Sequence, residues 1–236
     1  MQRYFAKNKN NDILILNEED FHHIKTVMRM NLGDSVEVVF DEKLFLGEII
    51  DISKNVLVKI IKEIENEEVL PNVFIAQALV KEQKMDFILQ KATELGVSGV
   101  IPVSTTRSIV KINEKMDKKN IRWQKIVKEA SEQSKRVNIP LVDRVLTIDE
   151  IAKLDYDVKI LCTVNELSRS IKKVLQKVSI HDRIIIVVGP EGGFTALEEE
   201  TLVNAGYVPI TLGNTVLRTE TVALYVLSCV RYQFMR

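Results

Sequence analysis

The sequence predicts an α/β protein in two parts: a small N-terminal part of short strands, then a larger part with a parallel sheet covered by helices. Three observations predict it. Residues 1–70 break into short apolar runs bounded by turn residues. From about Pro71 long helical patterns alternate with compact apolar strands. Two of those strands stop at glycine-rich turns that open onto helices, where open α/β sheets bind ligands.

In the first part the strands are RYFA, DILIL, DSVEVVF, FLGEIIDI and NVLVKIIKEI, with a helix over 18–29 capped by Asn17. Gly33-Asp34 and Asp41-Glu42 supply turns. In the second part VFIAQAL, GVIPV, VKILCTV, IIIVVG and YVPITLG are the strands. The helix KMDFILQKATEL (84–95) puts Ile88, Leu89, Ala92 and Leu95 on one face and stops at Gly96. In TALEEETLVNAG, Thr195 and Glu198 form a capping box and Gly206 is the stop. A last apolar helix runs from about Thr219 to Gln233, suited to burial or to another subunit.

Composition narrows the function. The chain has 236 residues, 46% of them hydrophobic, which is enough for a substantial core. Its 33 basic and 33 acidic residues cancel, so global charge selects no partner. Charge is unevenly placed: residues 1–70 carry a net −5 and residues 71–236 a net +5, with a net +6 between Arg107 and Arg136. That segment is either a solvated helix face or a grip on an RNA backbone, since Arg122, Lys125 and Lys128 fall at helical spacing beside Trp123. Cys162 and Cys229 form no CxxC pair, so they read as free core thiols, and neither a metal site nor a disulfide framework is expected. The start, MQRYFAKNKNN, lacks the apolar core of a signal peptide, and no apolar run is long enough to span a membrane. The expected location is the cytoplasm, with no membrane partner.

The turn in VVGPEGGFTALEEE (187–200) poses the chemical question. Glycines between a buried strand and a helix let a ligand lie on bare backbone. A phosphate loop would need a lysine after its second glycine, and the GxGxxG dinucleotide pattern is missing. Glu191 would repel a polyphosphate, so a neutral or cationic ligand suits the turn better. A second turn, LGNTVLRTETVAL (212–224), repeats the design. Leu212, Val216 and Leu217 can sandwich a flat apolar ring, while Arg218, Glu220 and Thr221 offer polar groups beside it. Two purely structural turns are the alternative.

GPEGGF (189–194) followed by LGNTVLRTET (212–221) resembles the signature loops of the RsmE-type 16S rRNA methyltransferases, S-adenosylmethionine-dependent enzymes of the SPOUT class that methylate uridine N3. KATELGV (91–97), Arg107-Ser108, EQSKR (132–136), Arg3-Tyr4-Phe5, His23, Arg29 and Gly33-Asp34 extend the resemblance over nearly the whole chain. It implies a PUA-like β-barrel over 1–70, a trefoil-knotted SPOUT domain over 71–236, and a homodimer. It also implies that S-adenosylmethionine is held by three loops: Leu161 and Thr163; Gly189, Pro190, Glu191, Gly192 and Gly193; and Leu212, Gly213, Val216, Leu217 and Thr221. The sulfonium cation of that cofactor fits a turn that has Glu191 and no lysine. Two positions depart from the family: Thr215 stands where an arginine is frequent, and Val222 where alanine is usual.

Methylating N3 requires in-line approach to the methyl group and loss of the imide proton. Arg218 is placed to stabilise charge on the uracil oxygens, and Glu220 either to accept the proton or to orient Arg218. His22 and His23 are the alternative base, but His23 reads better as an RNA contact. With Arg3, Arg29, Arg107, Arg122 and Arg136 it would hold 16S rRNA or the small ribosomal subunit. The competing readings are another SPOUT enzyme, acting on a tRNA base or a ribose 2′-OH, and an RNA-binding module without chemistry.

Overall fold

The computed structural model describes residues 1–53, 55–65, 71–110 and 116–234. It divides into two compact units, Met1–Glu68 with Ser131–Ile139 and Val69–Ala130 with Pro140–Arg236, each over its described residues. The boundary that the sequence places at residue 70 falls within 66–70, and part of the basic segment falls within 111–115; both stretches lie outside the described residues.

The first unit is a closed five-stranded barrel. Strands β1 (Arg3–Asn10), β2 (Ile13–Leu16), β3 (Ser35–Phe40), β4 (Lys43–Ile52) and β5 (Val56–Ile64) run in the order β1-β2-β5-β4-β3, and parallel pairing of β1 with β3 closes the ring. Closure leaves no free sheet edge. Alternating residues fill the interior, among them Tyr4, Leu14, Leu16, Val36, Val38, Phe45, Ile49, Val56 and Val58. Asp41 and Glu42 both take positive φ, 51° and 57°, giving the β3–β4 hairpin a turn whose twist matches its strands. From Ser131–Ile139, Val137 and Ile139 pack on Phe5, Val39 and Leu44.

The helix expected over 18–29 is shorter and changes pitch. α1 (Glu18–His22) gives way to a π-helical turn over His23–Val27, in which the Met28 N–H reaches back to His23 O at 2.8 Å. Met30 then donates to Ile24 O, and Arg29 sits at φ 52°. The wider turn seats Ile24 in the barrel core while the chain leaves through a left-handed residue.

In the second unit β6 (Asn72–Ala78), β7 (Gly99–Ser104), β8 (Leu141–Val142), β9 (Leu146–Thr147), β10 (Val158–Cys162), β11 (Arg183–Val188) and β12 (Val208–Ile210) form one parallel sheet ordered β12-β10-β11-β6-β7-β8, with β9 also on β7. Five consecutive residues of β11 are buried, because helices and loops cover both faces. On one face Ile101, Val103, Ile151, Leu161, Ile185, Val187, Phe194, Leu202 and Tyr207 form a core, and the Tyr207 hydroxyl donates to Ile151 O at 2.9 Å.

Helices α2 (Glu82–Glu94) and α7 (Thr219–Phe234) pack against each other and bury Met85, Ile88, Leu89 and Ala92 of the first with Ala223, Val226, Leu227 and Val230 of the second. Leu95, expected on the buried face of α2, is only half-buried at its C-cap. α3 (Met116–Gln133) buries Trp123 and Val127, and its Gln124 side chain bonds both Pro140 O and the Val142 N–H. Three shorter helices complete the unit: α4 (Ile148–Ala152), α5 (Ile171–Leu175) and α6 (Ala196–Asn204). No helix among the described residues is long and apolar enough to cross a membrane.

Candidate cofactor site

Because every strand of the sheet is parallel, the loops that follow neighbouring strands emerge at one edge. β12, β10 and β11 are consecutive neighbours, so the segments 211–218, 163–170 and 189–195 meet there. Bonds join the first two: Thr211 N–H donates to Arg169 O at 2.9 Å, and Thr163 N–H to Ile210 O at 3.3 Å. Thr163 Oγ1 donates to Glu199 of α6 at 2.6 Å, and Asn165 reaches the same carboxylate at 3.0 Å. Within 163–170 the Glu166 carboxylate accepts from Ser168 and Arg169 N–H groups, which hold it down to about 2.

The turn after β11 is braced from several sides. Arg107, which leaves the same edge after β7, donates from one guanidinium nitrogen to Gly192 O and Phe194 O, both at 3.0 Å. The Thr195–Glu198 capping box forms as expected, with Thr195 Oγ1 accepting from Glu198 N–H, and Glu198 Oε1 also accepts from Thr106 N–H at 2.7 Å. Gly193 at φ 66° and Gly213 at φ 118° have open space where a Cβ would stand, so each turn presents bare backbone in a conformation that side chains resist. Such backbone suits a ligand that must approach the main chain closely.

Two contacts that the sequence alone did not reveal tie this turn to the start of α7. Gln77, wholly buried at the end of β6, donates to Thr219 Oγ1 at 3.0 Å, and Thr219 donates to Gly189 O at 2.7 Å. Lys84, in the first turn of α2, lies 3.0 Å from Glu191 Oε1 and 3.2 Å from Glu220 Oε2. The Glu220 contact is an ion pair without hydrogen-bond alignment. The signal for Gln77 was present, as it is the one polar residue in VFIAQAL. The turn itself has no lysine, as its sequence shows, but Lys84 of α2 stands beside it, so Glu191 is paired.

Residues 66–231 match the RNA methyltransferase domain family, and residues 16–61 match the RNA methyltransferase PUA domain family. The ribosomal RNA small subunit methyltransferase E of Bacillus subtilis is 36% identical, with the alignment covering 99% of this chain and 97% of that protein. The chain belongs to the ribosomal RNA small subunit methyltransferase E family. Solved structures of the same architecture include the family's enzyme from Neisseria gonorrhoeae bound to S-adenosyl methionine, 27% identical over 98% of this chain and 97% of that one, with a TM-score of 0.87. A methyltransferase from Legionella pneumophila, in complex with the same cofactor, is 31% identical over 98% and 97% of the two chains, with a TM-score of 0.89. The five-stranded barrel and the parallel-sheet domain are those of this SPOUT methyltransferase family.

The other residues singled out in the sequence are spread over both units. Arg218 is exposed at the start of α7, and Glu220 is paired with Lys84 rather than with Arg218. Val216 is 82% exposed, Leu212 and Leu217 are half-buried, Thr221 is exposed and Pro190 is buried. Thr215, at the family's arginine position, is exposed and Val222 is half-buried. Leu161 is a core residue of β10 with no exposed surface. Cys162 is buried, which pushes its thiol up to about 12; Cys229 is only half-buried.

Of the residues expected to hold RNA, Arg29 is exposed and Arg107 is exposed but bonded to the 189–194 turn. Arg3 is buried, its Nε 2.9 Å from Glu37 and another guanidinium nitrogen donating to Lys135 O. Arg136 is buried on Asn138. Arg122 pairs with Asp86 at 2.8 Å and with Glu82 at 3.1 Å, both on α2. His23 shares a 3.0 Å hydrogen bond with the Tyr4 hydroxyl.

Proposed function

We propose that this protein is an S-adenosylmethionine-dependent methyltransferase that methylates N3 of a uridine in 16S ribosomal RNA, acting in the cytoplasm as a homodimer. The observation that carries the reading is the convergence of three loops at the ends of β12, β10 and β11, two of them exposing glycine backbone, in a chain whose relatives are named ribosomal RNA small subunit methyltransferase E.

These loops suit a cofactor held by main-chain groups. Residues 189–193 and 212–217 would hold the adenosine part of S-adenosylmethionine, with Thr163 and its neighbours closing the third side. When bound, the cofactor supplies a methyl group on a positively charged sulfur. Arg218, exposed beside these loops, would stabilise negative charge on the uracil oxygens as N3 loses its proton. Glu220 would accept that proton; the alternative role of orienting Arg218 gains no contact.

Arg218→Ala should keep cofactor affinity within about threefold and lower turnover about a hundredfold or more. Calorimetry and single-turnover assays on a 16S rRNA fragment or the small subunit check this, and undiminished turnover rejects the assignment. Nucleoside mass spectrometry of rRNA from a deletion strain tests the function as a whole. N3-methyluridine should vanish from 16S rRNA and return on complementation. Its persistence, with loss of a tRNA base or ribose methyl group instead, would select a different substrate.

A further inference from the structure

Lys84, on α2, contacts the turn after β11 and the first turn of α7 at once, and the mechanism above leaves it without a role. It stands at the same sheet edge because α2 follows β6, the neighbour of β11. Glu191 belongs to the turn after β11 and Glu220 to the first turn of α7, and each carboxylate lies within 3.2 Å of the one ammonium. Two carboxylates at such close range repel unless a cation sits between them. With Lys84 present the cluster holds together at a net charge of −1. The side chains are 30%, 30% and 16% exposed for Lys84, Glu191 and Glu220, so water screens them only in part. The pairing with Glu191 first, and then with Glu220, holds the Lys84 ammonium above the usual lysine range against the effect of burial. Burial alone would raise the Glu191 carboxyl, but its own backbone N–H and Lys84 hold it below the ordinary range.

We propose that Lys84 is a positioning residue for S-adenosylmethionine: it ties the 189–193 turn to the start of α7, so that both loops stand ready for the cofactor before it arrives. This inference rests on the functional reading given above. The buried Gln77–Thr219–Gly189 chain joins the same segments through neutral hydrogen bonds, so the fold survives loss of Lys84 while the exposed ends of the loops lose their alignment.

The test titrates S-adenosylmethionine calorimetrically into the full chain and its variants Lys84→Met, Lys84→Arg, Glu191→Gln, Glu220→Gln and their combinations. Lys84→Met should weaken binding about five- to tenfold, with Lys84→Arg recovering most of it. With Lys84 in place, Glu191→Gln and Glu220→Gln should combine to less than the product of their separate effects, because breaking either arm already breaks the tether. In the Lys84→Met background Glu191→Gln should cost less than it does alone, since it relieves carboxylate repulsion. Hydrogen exchange of the 191–193 and 219–222 amides in the ligand-free protein should speed up in Lys84→Met. Binding by Lys84→Met within about twofold of the parent, multiplicative effects with Lys84 present, or unchanged exchange overturns the proposal. If the parent chain binds no S-adenosylmethionine, the functional reading itself fails, and the exchange measurement still decides whether Lys84 is a tether.

Discussion

Glu198 shows how one carboxylate can hold a loop it does not belong to. It is 8% exposed; Oε2 accepts from the Thr195 N–H at 2.8 Å and the Thr195 hydroxyl at 3.1 Å, while Oε1 accepts from the Thr106 N–H at 2.7 Å. The start of α6 and the turn after β7 are thereby fixed together beside the glycine turn. Glu198→Gln turns one acceptor oxygen into an amide NH2 donor facing an N–H, which should cost about 1–3 kcal/mol in denaturant melts. The pH dependence has a definite sign. Burial alone would raise the Glu198 carboxyl, but the N–H groups of Thr106 and Thr195 hold it below the ordinary range. A depressed folded-state value means the stabilisation is fully present above the unfolded value of about 4.3 and is lost as pH falls through the lower folded one. The difference between parent and variant should therefore be constant at neutral pH and shrink in acid; a difference that grows in acid contradicts this role.

At the scale of elements, legibility follows from how local the cause is. Strand β11 was readable because burial on both faces leaves an unbroken apolar run, and α6 because its capping box and Gly206 punctuate both ends. The two-residue strands β8 and β9 and the five-residue helices α4 and α5 passed unseen, since they are too short to show a period. The π-helical turn after α1 depends on where Ile24 must land, which no local pattern reports. In the site, the glycine turns were legible by composition, but an ion pair between Lys84 of α2 and Glu220 of α7 leaves no trace in either segment alone. The same reasoning isolates what the Gly193 turn requires. With φ at 66° and no atom of a non-adjacent residue within 4 Å of the place a methyl would occupy, Gly193→Ala meets no clash with the rest of the protein and bears mainly the strain of its left-handed backbone. That should cost about 1 kcal/mol, or about 2–4 °C in melting temperature, and weaken cofactor binding as the turn shifts. A variant that melts and binds like the parent would show that the turn tolerates side chains there.

Across the whole molecule the balanced charge conceals an uneven one, and several of the arginines expected to grip RNA already have partners within the protein. Arg122 is engaged by Asp86 and Glu82, Arg3 by Glu37, and Arg136 by Asn138, whereas Arg29 is exposed. A guanidinium already held by carboxylates gains little from a phosphate, because one pairing must be given up for the other. Arg122 therefore offers less to RNA than its place in the net +6 segment suggests. Binding to a 16S rRNA fragment should still weaken as salt rises, since each phosphate neutralised releases counterions, with a slope of about −0.9 per contact on a duplex and about −0.7 on a single strand. Arg29→Ala should reduce the magnitude of that slope by about one such contact, while Arg122→Ala should leave it nearly unchanged. Fluorescence anisotropy between low and physiological salt measures both. A flat response in the parent would exclude a phosphate-dominated grip, and a larger loss from Arg122→Ala than from Arg29→Ala would mean that the α2 pairing opens when RNA binds.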